Sequence, residues 1–535
     1  MDNRPILAAG GVAAPAKSHA RPRPRSLLAT TTARALGCAS LPAVAAMQRR
    51  DLTQGPIART LLVFALPILG GNVLQSLNGS VNAMWVGRLL GEDALAGVAN
   101  ANNIMFFLLG GIFGFGMAAT ILVGQAMGRH DLPAARRVIG SAATFFLSLS
   151  IVVSAIGLFV SHDVLEWMAT PPAALPLADA YLKIIFLALP FLYAFAYLSA
   201  ILRGAGDTKT PFAFLLVAVG LDIGLAPLFM LGIGPFPAMG MAGSAMSTLV
   251  ANAVALAALL WWLRSRKHPL WISRGERGLY VPDWTIVRAM VTKGVPMGLQ
   301  MVVVSLAMIA MIVLVNHYGT HTTAAYGAAL QLWTYVQMPA MAIGAACSSM
   351  AAQNVGAGRW DRVDATTKYG MAFNFLLTGA LIVPLILFDR TTLAWFLHDA
   401  HEAIAIARHV NHLAVWSFLF FGVTFVVAGV VRSTGAVIPP LLILGFALWG
   451  VRVPFASWLQ PSLGADAIWW SFPASSLVSM VLSLAYYRWG RWRQARMLAG
   501  GPPQAPDAVA IPAEVPAHAN APVADVGART ADEPA

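Results

Sequence analysis

The sequence predicts an all-α polytopic membrane protein, with twelve transmembrane helices in two six-helix bundles related by a pseudo-two-fold axis along the membrane normal. Three observations predict it. Of 535 residues, 58% are hydrophobic and 11% charged, against about a quarter charged in soluble domains. Apolar stretches of about 20 residues recur along the chain, each long enough to cross a hydrocarbon core of about 30 Å as a helix. Motifs of the first half return in the second at an offset of 228 or 229 residues.

Apolar length and its interruptions place the first six helices near 57–88, 95–124, 137–161, 177–202, 211–232 and 239–263. The next six fall near 286–315, 323–354, 367–388, 403–431, 437–458 and 466–487. The domains are then an N-terminal tail (1–50), a first bundle (51–264), a linker (265–285), a second bundle (286–497) and a C-terminal tail (498–535). Residues 1 to about 46 are rich in Ala, Pro, Arg, Ser and Thr and lack the apolar core of a secretory signal, so they read as a disordered tail. A transit peptide is the alternative, and MQRRDLTQGPIARTLLVFALP reads as a second possible start at Met47. The Ala- and Pro-rich end cannot supply a packed core.

Charge sets the expected orientation. Arg49, Arg50 and Arg59 precede or open the first span, whereas Arg88 in the first loop is offset by Glu92 and Asp93. Every second loop is then basic: Arg129, Arg136 and Arg137; Arg203 and Lys209; Arg264, Arg266, Lys267, Arg274 and Arg277; Arg359, Arg362 and Lys368; Arg432. By the positive-inside rule both termini are cytoplasmic, in an inner membrane. The net charge of +12 therefore reports topology, not nucleic-acid binding. Cys38 and Cys347 can form neither a disulfide framework nor a thiolate metal site, and neither metal nor cofactor is expected.

LVGQAMGRHD (122–131) aligns with MAAQNVGAGR (350–359) through Gln125/Gln353 and Gly128/Gly356. ILRGAGDTKTP (201–211) aligns with VVRSTGAVIPP (430–440) through Arg203/Arg432, Gly206/Gly435 and Pro211/Pro440, and Pro67 aligns with Pro296. Three ordered matches at nearly constant offset argue for duplication. An even number of crossings gives both halves the same orientation, an arrangement used by transporters that alternate access around a site between repeats.

These motifs resemble the multidrug and toxic compound extrusion (MATE) family over about residues 50–495. The resemblance rests on LPILGGNVLQSLNGSVNAMWVGRLLGEDALAGVA (66–99), VGQAMGRHDLPAARR (123–137), LRGAGDTKTPF (202–212), FMLGIGPFPAMGMAGSAMST (229–248), AAYGAALQL (324–332) and AAQNVGAGRWDR (351–362). It implies a V-shaped antiporter of two bundles that exports drug-like, often cationic compounds in exchange for protons or sodium ions. Its partners are then a small molecule, a coupling ion and the bilayer, with the chain acting as a monomer.

Asp222, in VAVGLDIGLAPLF (217–229), is the acid placed deepest in the span map, near mid-membrane. An intramembrane acid is a functional candidate by default, with a neutral, hydrogen-bonded structural acid as the plain alternative. Proton coupling through this acid is the first expectation. In the resembling family an Asp usually stands where this chain has Asn82, an Asn at Asp222 and a second Asp at Ala226. Acid and amide are exchanged here and one carboxylate is lost, so ion identity and stoichiometry do not transfer. The family also places a hydroxyl at Thr248, which joins Asp222 and Asn82 as a candidate ion-coupling residue. Asn72, Gln75, Asn78 and Asn82 form an amide stripe on one face of the first helix. Gln75 and Asn78 are candidate cavity residues, though such stripes also bind helices together. The sequon at Asn78 lies inside a span and is unsuited to glycosylation.

The second half offers Gln300, Asn316, Gln331, Tyr335 and Gln337 but no deep acid, which makes it look more like the DinF-type branch of the family. Gln300, Gln331 and Tyr335 are its candidate substrate contacts, with helix packing the alternative. Asp179 and Lys183 are spaced to pair, and His401, His409 and His412 read as interface residues lacking a nearby acid cluster. GAGDTKT (204–210) reads as a cytoplasmic turn, and Pro67 and Pro296 as kinks or bending points. The leading function is a secondary active exporter, not an enzyme. A lipid-linked oligosaccharide flippase is the nearest alternative, with Arg452 the one deep cation for its cavity, and an integral-membrane transferase is a more distant one.

Overall fold

The computed structural model describes residues 51–498, apart from 169, 173, 235, 398 and 399. Both predicted tails, with Cys38, Arg49 and Arg50, lie outside the described residues, as do the side chains of Glu92 and Asp93.

The helices α1 (Ile57–Leu90), α2 (Glu92–Gly128), α3 (Leu132–Trp167), α4 (Leu175–Gly204), α5 (Lys209–Leu231) and α6 (Met241–Ser265) form the first half. The second contains α7 (Trp284–Asn316), α8 (Thr320–Gly356), α9 (Trp360–Leu387), a short α10 (Asp389–Leu397), α11 (His401–Ala414) and α12 (Ser417–Arg432). It ends with α13 (Ile438–Gly445), α14 (Val453–Trp458), a single turn α15 (Gln460–Leu463) and α16 (Asp466–Trp489). Among the described residues, ten helical segments are long and apolar enough to span a membrane, and α11 with α12 makes an eleventh. The twelfth crossing is α8. It is less apolar than those ten and buries the polar residues Ser348, Ser349, Gln353 and Asn354. Lipid-facing helices instead expose large apolar side chains such as Phe159, Leu187, Val313 and Leu376.

Duplication is visible in the packing. α2 lies along α7, and its repeat equivalent α8 lies along α1, while α2 and α8 also meet each other. Where they meet, Gln125 Nε2 donates to the Ser433 carbonyl at 2.7 Å and Gln353 Nε2 to the Gly204 carbonyl at 2.8 Å. Donors and acceptors are repeat equivalents, so one bond is written twice. A Cβ on Gly128 would stand 1.9 Å from the Gln353 carbonyl oxygen, and one on Gly356 2.1 Å from that of Gln125. Only glycine permits this approach. Gln353 Oε1 also accepts the Leu52 amide at 3.1 Å, pinning the segment before α1 to the second half.

The turn expected at 204–210 is present: Asp207 accepts the Lys209 and Thr210 amides at 3.0 Å, starting α5, and Gly206 takes φ 92°. Its equivalent Gly435 takes φ 105°. Both helices stay unbroken at Pro67 and Pro296.

Three expectations are corrected. The tenth span is not one helix but α11 and α12 bent by 45°, because hydrogen bonding tightens to three-residue spacing at Phe418–Val415 and Leu419–Trp416. The eleventh carries a π segment, Phe446–Arg452. Pro454 follows it and cannot donate the bond that an α-helix would give to Gly450. Arg432, assigned to a basic loop, instead closes α12 with 1% exposure.

Candidate functional site

Asp222 lies about 20 Å along α5 at 1.5 Å per residue and is 4% exposed. It faces the neighbouring helices α1 and α6, both of which bring polar groups to it. From α1, Asn78 Nδ2 donates to Oδ2 at 2.8 Å. From α6, Ser247 Oγ donates to Oδ1 at 2.6 Å, and Thr248 Oγ1 reaches both oxygens at 3.2 and 3.3 Å. Ser244 Oγ, one turn earlier, donates to Asn82 Oδ1 at 2.6 Å.

Both α6 hydroxyls have a second acceptor. Ser247 Oγ lies 2.8 Å and Thr248 Oγ1 3.3 Å from the Ser244 carbonyl. The carboxyl can therefore face two donating hydroxyls, or donate a proton to one that has turned toward the backbone.

Of the residues singled out from sequence, the structure brings Asp222, Asn78 and Thr248 into direct contact, and Asn82 joins through Ser244. Gln75 does not join; it is exposed one turn away, with no hydrogen-bond partner among the described residues. Ser244 and Ser247 were missed. Their signal was the spacing of Ser244, Ser247 and Thr248, which puts three hydroxyls on one face of α6.

In the second half Gln300 is buried and its Oε1 accepts Arg432 Nη1 at 2.9 Å. It is thus committed to a buried cation instead of standing open to a cavity, a correction to its expected place. Arg432 Nε donates to the Ala428 carbonyl at 3.1 Å, while Arg432 Nη2 and Gln300 Nε2 lack partners among the described residues. Arg452 donates to Ser475 Oγ at 2.9 Å and lies 4.4 Å over the Phe472 ring. It is accordingly not the one deep cation. Gln331 and Tyr335 are half-buried on α8 without hydrogen-bond partners among the described residues.

Away from these sites, Asp179 and Lys183 pair at 2.7 Å. The histidines do have acids beside them, from other elements: His409 meets Asp466 at 2.8 Å and His412 meets Asp389 at 3.0 Å. Among the described residues no group of three His, Cys, Asp or Glu could hold a metal.

Two repeated helical bundles, one holding a carboxyl in a polar contact of three helices, define a polytopic membrane protein of the transporter type. The MatE family profile matches residues 67–228 and 296–458, one copy per repeat. The chain belongs to that family. It is 36% identical to a probable multidrug resistance protein, YoeA, of Bacillus subtilis, over 82% of this chain and 96% of the relative. It is 33% identical to a second from the same organism, YpnP, over 84% and 99%. The crystal structure of MATE in complex with MaL6 shares the fold, with TM-score 0.76 at 19% identity over 82% of this chain and 97% of that one.

Proposed function

We propose that the protein is a secondary active antiporter that exports drug-like, cationic or amphipathic compounds in exchange for protons, with Asp222 as the coupling residue. One observation carries this reading: among the described residues, Asp222 is the acid buried in the middle of a membrane helix, and every hydroxyl that touches it has an alternative acceptor. Membership of the MatE family and relatives named as probable multidrug resistance proteins support export of drug-like compounds.

In the ionised state Asn78, Ser247 and Thr248 all donate to the carboxylate. A proton arriving on Oδ1 reverses one bond: the carboxylic O–H donates to Ser247 Oγ, whose own hydrogen turns to the Ser244 carbonyl. Asn78 keeps its bond to Oδ2 throughout. The change removes one charge and loosens the pull of α6 on α5, and a conformer that prefers one arrangement is populated accordingly. A proton suits the site better than sodium, because a hard cation needs a shell of open oxygens and both carboxylate oxygens here already accept donors.

A flippase draws support from deep cations, but Arg432 and Arg452 are each engaged by neighbouring groups. In this reading both termini lie on the cytoplasmic side of an inner membrane, which the alternating basic loops support, and the chain acts as a monomer. Purified protein in liposomes, with pH and sodium gradients imposed separately while efflux of a cationic dye is followed, tests the proposal. Dye movement driven by the pH gradient alone is expected; movement that requires sodium would refute proton coupling.

A further inference from the structure

The 3-10 segment Arg274–Tyr280 in the linker folds back on α3. Between it and the end of α6 lies a cavity of about 750 Å³ rimmed by Arg136, Arg264, Lys267 and Arg277, with His268 and Trp271 in its wall. Arg136 is held in place by Glu276 at 2.7 Å and the Pro269 carbonyl at 2.9 Å. Glu276 is occupied in turn by Arg136 and Ser273. Arg264, Lys267 and Arg277 are exposed and have no acidic partner among the described residues. Three cations thus converge where no carboxylate neutralises them.

Directly adjoining is a second cavity of about 210 Å³ between α3, α4 and α6, walled by Ala143, Leu198, Leu260 and Leu263. The two share Trp271, Ile272 and Tyr280. One end of the combined groove is cationic and the other apolar. Trp261 and Trp284 are 71% and 76% exposed close by in sequence, and exposed Trp marks the level of a membrane interface. A soluble anion would have no use for the apolar end, and a neutral lipid none for the cationic rim.

We propose that this groove binds an anionic phospholipid of the leaflet on the basic-loop side, its phosphate among Arg264, Lys267 and Arg277 and the start of one acyl chain along Leu260 and Leu263. Basic pockets at this level of membrane proteins attract anionic headgroups, and the apolar extension supplies the selectivity for lipid over free phosphate. Occupancy would tie the linker joining the two halves to the composition of the membrane.

The full-length protein in phosphatidylcholine nanodiscs, with and without phosphatidylglycerol, tests this. Competition of unlabelled lipid against fluorescent phosphatidylglycerol gives relative affinities. Wild type should prefer phosphatidylglycerol, and the triple change Arg264→Gln, Lys267→Gln, Arg277→Gln should cost roughly tenfold or more of that preference. Arg264→Lys with Arg277→Lys should restore most of it. Ala143→Trp, which fills the apolar end, should weaken lipid binding while leaving all cations present, and it serves if the triple variant fails to fold. An unchanged preference in the triple variant, or in Ala143→Trp, overturns the proposal. So does glycerol 3-phosphate displacing the probe as well as the lipid does, which would make the site one for a soluble anion.

Discussion

At Asp222 the hydrogen bonds come from three donors, Asn78, Ser247 and Thr248, which can be removed one at a time. A hydrogen bond to a charged group contributes about 1.5–3 kcal/mol, and Ser247→Ala should therefore slow proton-driven efflux by roughly tenfold or more while dye binding, measured by fluorescence anisotropy, is retained. An unchanged rate would show that the 2.6 Å contact of Ser247 has no part in coupling. Gln300→Leu addresses stability instead. It strips the guanidinium of Arg432 of its side-chain acceptor in a fully buried setting, and should destabilise the protein by about 1–3 kcal/mol, read from thermal melting in detergent. The acid itself was legible in the sequence, since a single carboxylate in an apolar run is conspicuous. Its partners were less so. Small hydroxyls are common in membrane helices, and Ser244 and Ser247 gain meaning only when the face of α6 turned to α5 is known. The burial of Arg432 was hidden for a related reason, because it lies where the sequence reads equally as a helix end or a loop.

Among the elements, α2 and α8 carry the sharpest expectation. Gly128→Ala and Gly356→Ala would each place a methyl group within about 2 Å of a backbone oxygen across the contact, which demands that the helices separate. Overpacking of this kind costs about 1–3 kcal/mol, and the repeat symmetry predicts similar losses from both. Gly111→Ala, on the same α2, meets nothing within 4 Å and should melt as wild type does. Equal melting of all three variants would contradict the close crossing. The duplication that makes these positions equivalent was readable as Gln125/Gln353 and Gly128/Gly356, because close packing and a buried amide constrain residue type severely. The bend between α11 and α12 was not readable: no proline or glycine marks it, and the run Ala414-Val415-Trp416 fits a straight helix as well as a bent one.

For the whole molecule, the proposed topology with the basic loops on the cytoplasmic side can be tested directly. Single cysteines within 265–283, in a background lacking the two natural ones, should react with impermeant reagents only from the cytoplasmic face; reaction only from outside would reverse the orientation. The linker there has its own titratable contact. Hydrogen bonds from Ser273, then the charge of Arg136, hold the Glu276 carboxyl below the usual glutamate range. A depressed carboxylate contributes its stabilisation above its unfolded value and loses it only as pH falls through the lower folded one. The Arg136–Glu276 contact should therefore persist across neutral and mildly acidic pH, and Glu276→Gln should leave the shape of the efflux–pH profile intact; a profile flattened by that change would shift coupling from the membrane interior to the linker. The central claim is tested most directly by pH-driven efflux of a cationic dye from liposomes holding equal amounts of wild type or Asp222→Asn, which keeps the side-chain shape and cannot titrate. Asp222→Asn should abolish gradient-driven efflux and Asp222→Glu should keep part of it; equal rates for wild type and Asp222→Asn would remove Asp222 from coupling.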